Sequence, residues 1–199
     1  RYHVSDEYDY RENSIYKTYL ACDAVSDEVL LRNHYRCNKE IIGFNNKKYY
    51  NSKLKIQSES KEPEPLVYMD VKSDNTQIKN TSPAEVEEVV EYALLNKDKS
   101  IGVSTPFVNQ KQLIENAIKQ NKLSNLVCGT VHAFQGDEKD VVLFSTAISE
   151  RTSSGTYNWL KNNKELINVA TSRAKEKLVL LTNGKELERL HAGQADDDL

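Results

Sequence analysis

The alternation of short apolar runs with amphipathic segments constrains the fold of this sequence more than any other feature. Five runs have the length and composition of β-strands: 66–71, 100–105, 126–130, 141–145 and 177–182. Between the runs, three segments carry apolar residues at helical spacing: 83–94, 108–120 and 165–174. Nearly continuous apolar runs are typical of parallel strands that are buried on both faces. The pattern therefore predicts an α/β fold with a mainly parallel sheet and helices on both faces.

The regions before and after this alternation have a different character. Residues 1–60 are predicted to form a helical lead-in, with helices over 14–31 and 39–50. Residues 183–199 are predicted to form a C-terminal helix and a frayed tail. The 199 residues are enough for a single domain, with its α/β core at 66–182.

The composition excludes several classes of protein. The net charge of −3 means that any nucleic-acid site must be a local basic patch. The three cysteines form no Cys-x-x-Cys pair, which argues against a disulfide framework or a metal site and favours a reducing compartment. No apolar run approaches the roughly 20 residues of a membrane span. We therefore expect a cytoplasmic protein with no metal site of its own and no membrane partner.

Four polar segments carry side chains that suit the recognition of phosphates or bases: 33–37, 104–110, 129–138 and 168–174. The guanidinium forks of Arg36 and Arg173 suit terminal phosphate oxygens. Thr105, at a strand-to-helix turn, suits a backbone phosphate. Ligands on parallel sheets bind at the carboxyl ends of the strands, so we expect functional residues to follow strands. Each segment alone also has a structural interpretation as a capped turn or a surface ion pair.

Taken together and in this order, the four segments resemble motifs of the second, C-terminal RecA-like domain of superfamily 1 helicases. The resemblance is to the 1B group, which includes the nonsense-mediated-decay helicase and its DNA-acting relatives. The matched residues are Tyr35-Arg36, Thr105-Pro106 with Gln110, Thr130 with Phe134-Gln135-Gly136 and Glu138, and Asn168 to Ala174. The match covers about residues 30–182, and its last two segments are the more specific. It implies a RecA-like fold of three layers.

The resemblance implies a set of contacts with ATP. Arg36 and Arg173 would be the catalytic residues, contacting the γ-phosphate across a cleft between two domains. Four residues would line the nucleotide: Tyr35, Gln135, Gly136 and Glu138.

The resemblance also implies contacts with single-stranded DNA or RNA, without deciding between the two. Four residues would lie at the strand: Thr105, Pro106, Thr130 and His132. The two threonine hydroxyls would hold phosphates of the strand backbone.

The Gly-x-x-x-x-Gly-Lys-[Ser/Thr] phosphate-binding loop does not occur in the 199 residues. In the family, that loop and the carboxylates for Mg²⁺ belong to the first RecA-like domain. We expect that domain to precede Arg1 in the same polypeptide and to bind ATP with Mg²⁺. The chain would then be half of an ATP-dependent helicase and inactive alone. The alternatives are a non-catalytic nucleic-acid-binding or adaptor module and, less favoured, an unrelated doubly wound domain for a small ligand.

Overall fold

The structure is a computed structural model that describes residues 6–9, 11, 13–22, 29–59, 62–72, 76–131 and 138–194. The chain divides into two compact units, residues 1–32 and 33–199. The first unit contains a short 3-10 helix, Asp6–Tyr8, and helix α1, Ile15–Cys22. Of the helix predicted over 14–31, the structure shows Ile15–Cys22 as helical. Residues 29–31 are not helical, and residues 23–28 lie outside the described part.

The second unit is built on a five-stranded parallel sheet. In spatial order the strands are β3, β7, β6, β4 and β5. Their bounds are β3 Leu66–Asp70, β4 Ile101–Thr105, β5 Leu126–Thr130, β6 Lys139–Ser145 and β7 Ala174–Thr182. All four strand pairings are parallel, with Thr105 opposite Thr130 and Lys139 opposite Ala174. A separate two-stranded parallel ladder joins β1, Asn33–His34, to β2, Lys55–Ile56.

Within the described residues of the second unit, six helices cover the two faces of the sheet. Their bounds are α2 Lys39–Tyr49, α3 Pro83–Leu95, α4 Val108–Asn121, α5 Ser154–Asn162, α6 Lys164–Thr171 and α7 Gly184–His191. On β6, Val142 and Phe144 pack with the helices α2, α5, α6 and α7, whereas Val141 and Leu143 pack with α3 and α4. Because successive strand residues point to opposite faces, this alternation gives two cores and three layers. The predicted α/β fold is confirmed.

The start of α3 illustrates how local sequence sets an element boundary. The Ser82 hydroxyl accepts a hydrogen bond from the Glu85 N–H at 3.2 Å, and Pro83 occupies the first helical position. This combination satisfies an otherwise unpaired amide and supplies a residue whose φ already suits a helix.

Two boundaries near the end of the chain differ from the prediction. The helix expected over 165–174 ends at Thr171, and β7 begins at Ala174 rather than at 177. Arg173 therefore lies in the turn between α6 and β7 and not on a helix. The reason is that the Arg173 carbonyl already accepts the Lys139 N–H at 3.3 Å, which joins it to the start of β6. Helix α5 was not predicted.

Within the described residues, no helix is both long enough and apolar enough to cross a membrane.

Candidate functional site

The Tyr35-Arg36 segment is attached to the beginning of β7 by two hydrogen bonds. The Asn38 N–H donates to the Lys175 carbonyl at 2.8 Å, and the Cys37 Sγ donates to the Ser172 carbonyl at 3.2 Å. Cys37 is fully buried, and burial raises the pKa of its thiol to about 12, so that the sulfur keeps its proton and remains a donor. Two segments that are over a hundred residues apart in sequence are thereby brought together.

The helices behind these segments are also linked by polar contacts. The Asn45 side chain on α2 donates to Asn168 Oδ1 at 2.7 Å and to Thr171 Oγ1 at 2.8 Å, both on α6. The Asn168 amide donates in turn to the Tyr50 hydroxyl at 3.1 Å. Because Asn45 is completely buried, these bonds strongly favour one orientation of α2 relative to α6. They hold the turn that carries Arg173 beside the turn that carries Arg36.

Arg36 and Glu138 form the central ion pair of the site. Arg36 Nε lies 2.7 Å from Glu138 Oε1, and Lys175 Nζ lies 3.5 Å from Glu138 Oε2. The side chains of Arg36 and Glu138 are each 34% exposed, so the pair is accessible to solvent. Together with Arg173, which lies near enough to be influenced by the charges of Arg36 and Glu138, these residues form the arginine cluster.

Arg173 is the least satisfied member of the arginine cluster. Its Nε is buried and has no hydrogen-bond acceptor among the described residues. Burial, followed by the positive charge of Arg36, lowers the pKa of the Arg173 guanidinium, and Glu138 opposes this only partly. A buried donor without a partner costs about 1–3 kcal/mol, and more when it is charged. An anion placed here would supply the missing acceptor and relieve the repulsion between the two guanidinium groups.

Tyr35 and His34 lie beside the arginine cluster but in different surroundings. Tyr35 is 69% exposed and lines a cleft of about 540 Å³. The cleft is of mixed charge, and its charged walls are Arg36, Lys99, Lys175, Glu59, Glu62 and Glu176. An exposed ring beside cations suits stacking on a base. His34 Nε2 instead accepts the Cys37 N–H at 3.0 Å, and burial followed by the charge of Arg36 lowers the pKa of His34. His34 therefore stabilises the turn as a neutral imidazole that accepts this hydrogen bond.

The arginine cluster lies at the amino ends of the strands, which differs from the expectation that functional residues follow strands. Glu138 directly precedes β6, and Arg173 directly precedes the neighbouring strand β7. The register that pairs Lys139 with Ala174 places these two positions side by side. The connections into β6 and β7, rather than the turns that leave them, therefore build the site.

Three of the predicted strand-binding residues, Thr105, Pro106 and Thr130, lie at the other rim of the sheet. Thr105 and Thr130 end the neighbouring strands β4 and β5 and are register partners. Thr105 is completely buried, and its hydroxyl accepts the Phe107 N–H at 3.4 Å. Pro106 and Thr130 are half-buried. The N-cap of α4, Phe107, makes no side-chain cap, so the amides of the first turn of α4 are more open to an anion than the Thr105 hydroxyl is.

Three predicted residues, His132, Gln135 and Gly136, lie outside the described residues, and their roles stay predictions. Lys175 was missed from the sequence, although its position two residues after Arg173 at the start of an apolar run was a usable signal. Within the described part of the chain, no group of three or more His, Cys, Asp or Glu side chains could hold a metal ion.

Comparisons with known proteins point to one family. The profile of the AAA domain family matches residues 11–185 of this chain. Helicase sen1 of Schizosaccharomyces pombe is 30% identical over 186 aligned residues, which cover 80% of this chain and 11% of the relative. RNA helicase Mov10l1 of Mus musculus is 26% identical over 200 aligned residues, which cover 85% of this chain and 17% of the relative.

A further relative matches a shorter part of the chain. The DNA replication ATP-dependent helicase/nuclease JHS1 of Arabidopsis thaliana is 33% identical over 105 residues, which cover 53% of this chain and 8% of the relative. The chain spans between 8% and 21% of the length of the first curated relatives that it matches. It thus corresponds to a small part of much longer proteins.

Proposed function

Because the chain belongs to the AAA domain family and is a superfamily 1 helicase-like RecA-fold domain, we propose that it is the C-terminal motor domain of an ATP-dependent helicase. In this proposal a first RecA-like domain of the same polypeptide presents ATP to the arginine cluster. Single-stranded DNA or RNA binds at the opposite rim, at the turns after β4 and β5. The names of the relatives include a DNA helicase/nuclease and an RNA helicase, which leaves the type of strand open.

The observation that carries the proposal is the Arg173 guanidinium beside Arg36, whose buried Nε has no acceptor within the described part of the chain. In phosphoryl transfer, negative charge on the phosphate oxygens must be stabilised as the γ-phosphoryl group moves. Positively charged groups that are held in place before the reaction do this without reorganising. Arg36 is held through Glu138 at 2.7 Å, and Arg173 keeps its Nε free of acceptors within the described residues. These two residues would be the catalytic residues that this chain contributes.

The remaining residues of the cleft would position the nucleotide. The exposed Tyr35 ring would stack on the base, and the Glu138 carboxylate would accept hydrogen bonds from ribose hydroxyls while it orients Arg36. Mg²⁺, when bound with ATP, offsets charge on the phosphates. Its ligands would come from the first RecA-like domain.

The test is the ATPase activity of the longer polypeptide that contains both domains, measured with single-stranded oligonucleotide present. Arg173→Ala is expected to lower the rate by about 10³- to 10⁵-fold, as for arginines that act on a transferred phosphoryl group. Arg189→Ala is the matched control, because Arg189 is half-exposed on α7 and pairs locally with Glu186 at 2.6 Å. An unchanged rate in Arg173→Ala would remove the catalytic role.

The same measurement separates the alternative function. A longer polypeptide that binds oligonucleotide but hydrolyses no ATP, even with Arg173 in place, would be a nucleic-acid-binding or adaptor module. The 199-residue chain alone is expected to hydrolyse no ATP, since it contains no phosphate-binding loop.

A further inference from the structure

A second cleft, of about 460 Å³, lies at the beginnings of α4 and α5. Its walls include one lysine, two hydroxyl side chains and two aromatic rings: Lys79, Ser153, Thr156, Phe107 and Trp159. The volume is within the range of about 300–1,000 Å³ that is usual for ligand sites. The nucleotide contacts described above do not involve this cleft, because they lie at the other ends of the strands.

The two aromatic rings in the cleft have unequal exposure. Their centroids are 5.9 Å apart and their planes are inclined by 39°. Phe107 is 9% exposed and supports the indole, whereas Trp159 is 45% exposed. Trp159 lies on α5, whose inward-facing Tyr157 and Leu160 are buried in the core. The helix therefore presents one large flat ring to solvent on a rigid base.

The cleft around the indole combines apolar walls with polar side chains and one cationic side chain, that of Lys79. The Lys79 ammonium has no carboxylate partner among the residues that the structure describes. The loop that carries it is fixed to α4, because Asn109 Nδ2 donates to the Lys79 carbonyl at 3.0 Å. Ser153 and Thr156 hydroxyls lie 3.0 Å apart at the start of α5. A protein partner would favour a wider apolar patch than a single ring with a lysine and hydroxyls around it.

We propose that Trp159 is a stacking platform for one base of the single strand, with Lys79 contacting an adjacent phosphate. Phe107 follows Pro106 directly, so the platform continues the strand path from the turn after β4. Stacking on an aromatic ring tolerates any base, which suits a motor that moves along a strand. This inference rests on the proposed function and deepens it, since it names a base contact where the family resemblance gave only backbone contacts.

The test uses the intact chain and the fluorescence of its only tryptophan. Oligothymidylate at low salt is expected to quench the indole emission in step with the rise in anisotropy of a fluorescein-labelled strand. Trp159→Ala is expected to weaken binding by about 5- to 100-fold, the range for loss of one stacked base. Trp159→Phe should retain most of the affinity. Tyr68→Ala, which removes a 54% exposed ring on the edge strand β3, is the matched control and should change nothing.

An abasic strand with the same number of phosphates separates stacking from charge. The Trp159→Ala variant should bind the abasic strand as tightly as the unaltered chain does. The Lys79→Ala variant should bind both oligothymidylate and the abasic strand more weakly. If oligothymidylate binds without quenching, and Trp159→Ala binds it as tightly as the unaltered chain, the platform is wrong and the proposed function stands. If the longer polypeptide that contains both domains binds neither oligothymidylate nor oligouridylate, the proposed function itself fails and the stacking platform fails with it.

Discussion

The two rims of the sheet differ in whether a buried ionisable side chain has hydrogen-bond partners. At the carboxyl ends of the strands, the Glu85 carboxylate is completely buried and fully bonded: Ser145 Oγ donates at 2.5 Å and the Ala147 N–H at 3.0 Å. Gln110, also buried, donates to the same serine at 2.9 Å. At the amino ends, Arg173 keeps a buried Nε with no acceptor among the described residues.

The contrast shows that this fold supplies hydrogen-bond donors to a buried carboxylate whose role is structural. The Glu85 carboxylate on α3 accepts hydrogen bonds from Ser145 on β6 and from Ala147 in the segment after β6, so it ties these elements together. Among the residues that the structure describes, the Glu138 carboxylate pairs with Arg36 and Lys175, whereas Arg173 Nε has no acceptor and has capacity for an anion. Among the buried side-chain atoms without a partner in the described residues, Arg173 Nε belongs to a charged group, and such a group favours an anion as its partner.

The largest effect on stability is expected at the carboxyl rim. Glu85→Ala should lower the free energy of unfolding by about 3 kcal/mol, because it leaves the Ser145 hydroxyl and the Ala147 amide without an acceptor and opens a cavity. Urea denaturation measures the change. Glu87→Ala on the exposed side of α3 is the control and should stay within about 0.5 kcal/mol. Equal small losses in both variants would contradict the view that the Glu85 contacts hold this rim together.

The arginine cluster should behave in the opposite way. Arg173→Met is expected to change the free energy of unfolding by no more than about 1 kcal/mol, with a gain as the favoured direction, because it removes a partly buried charge that Arg36 repels. The same variant should abolish ATPase activity in the longer polypeptide. A loss of stability as large as that of Glu85→Ala would mean that Arg173 has a structural partner, and the contrast between the rims would disappear.

The sheet was predictable from the sequence because its strands are buried. The run at 141–145 contains almost only apolar residues, and Val142, Leu143 and Phe144 are indeed all buried. Elements with weak patterns escaped prediction. Helix α5 contains glycine, threonine and asparagine, which are weak helix formers. Strands β1 and β2 have only two residues each, too few for a recognisable pattern. These elements form because of their tertiary contacts rather than their local sequence.

The candidate site was predictable only in part. The resemblance indicated Arg36, Glu138 and Arg173, but no pattern along the chain places the Arg36 guanidinium 2.7 Å from a carboxylate 102 residues later. Equally, a threonine at a strand end suggests an available hydroxyl, whereas Thr105 is completely buried. Exposure and pairing depend on contacts between distant segments, and these are properties of the packed fold rather than of the local sequence.

The smallest expected effect concerns the support of the arginine cluster by His34. Burial and the charge of Arg36 lower the pKa of His34 from its ordinary 6.5, while Glu138 opposes them. Below pH 6.5 the unfolded chain therefore takes up a proton that the folded ring resists, so the free energy of unfolding falls as the pH falls through this region. Above pH 6.5 both states are neutral and the contribution is complete.

The variant that isolates this effect is His34→Gln, whose amide oxygen can still accept the Cys37 N–H but does not titrate. The difference between the unaltered chain and this variant should change with pH below 6.5 and be flat above it. Because His34 is only half-buried, the change should stay below about 1 kcal/mol. Urea denaturation at several pH values measures it. If the difference in the free energy of unfolding between the two proteins is independent of pH, His34 takes up protons equally in the folded and unfolded states. The charge of Arg36 would then have no effect on the pKa of His34.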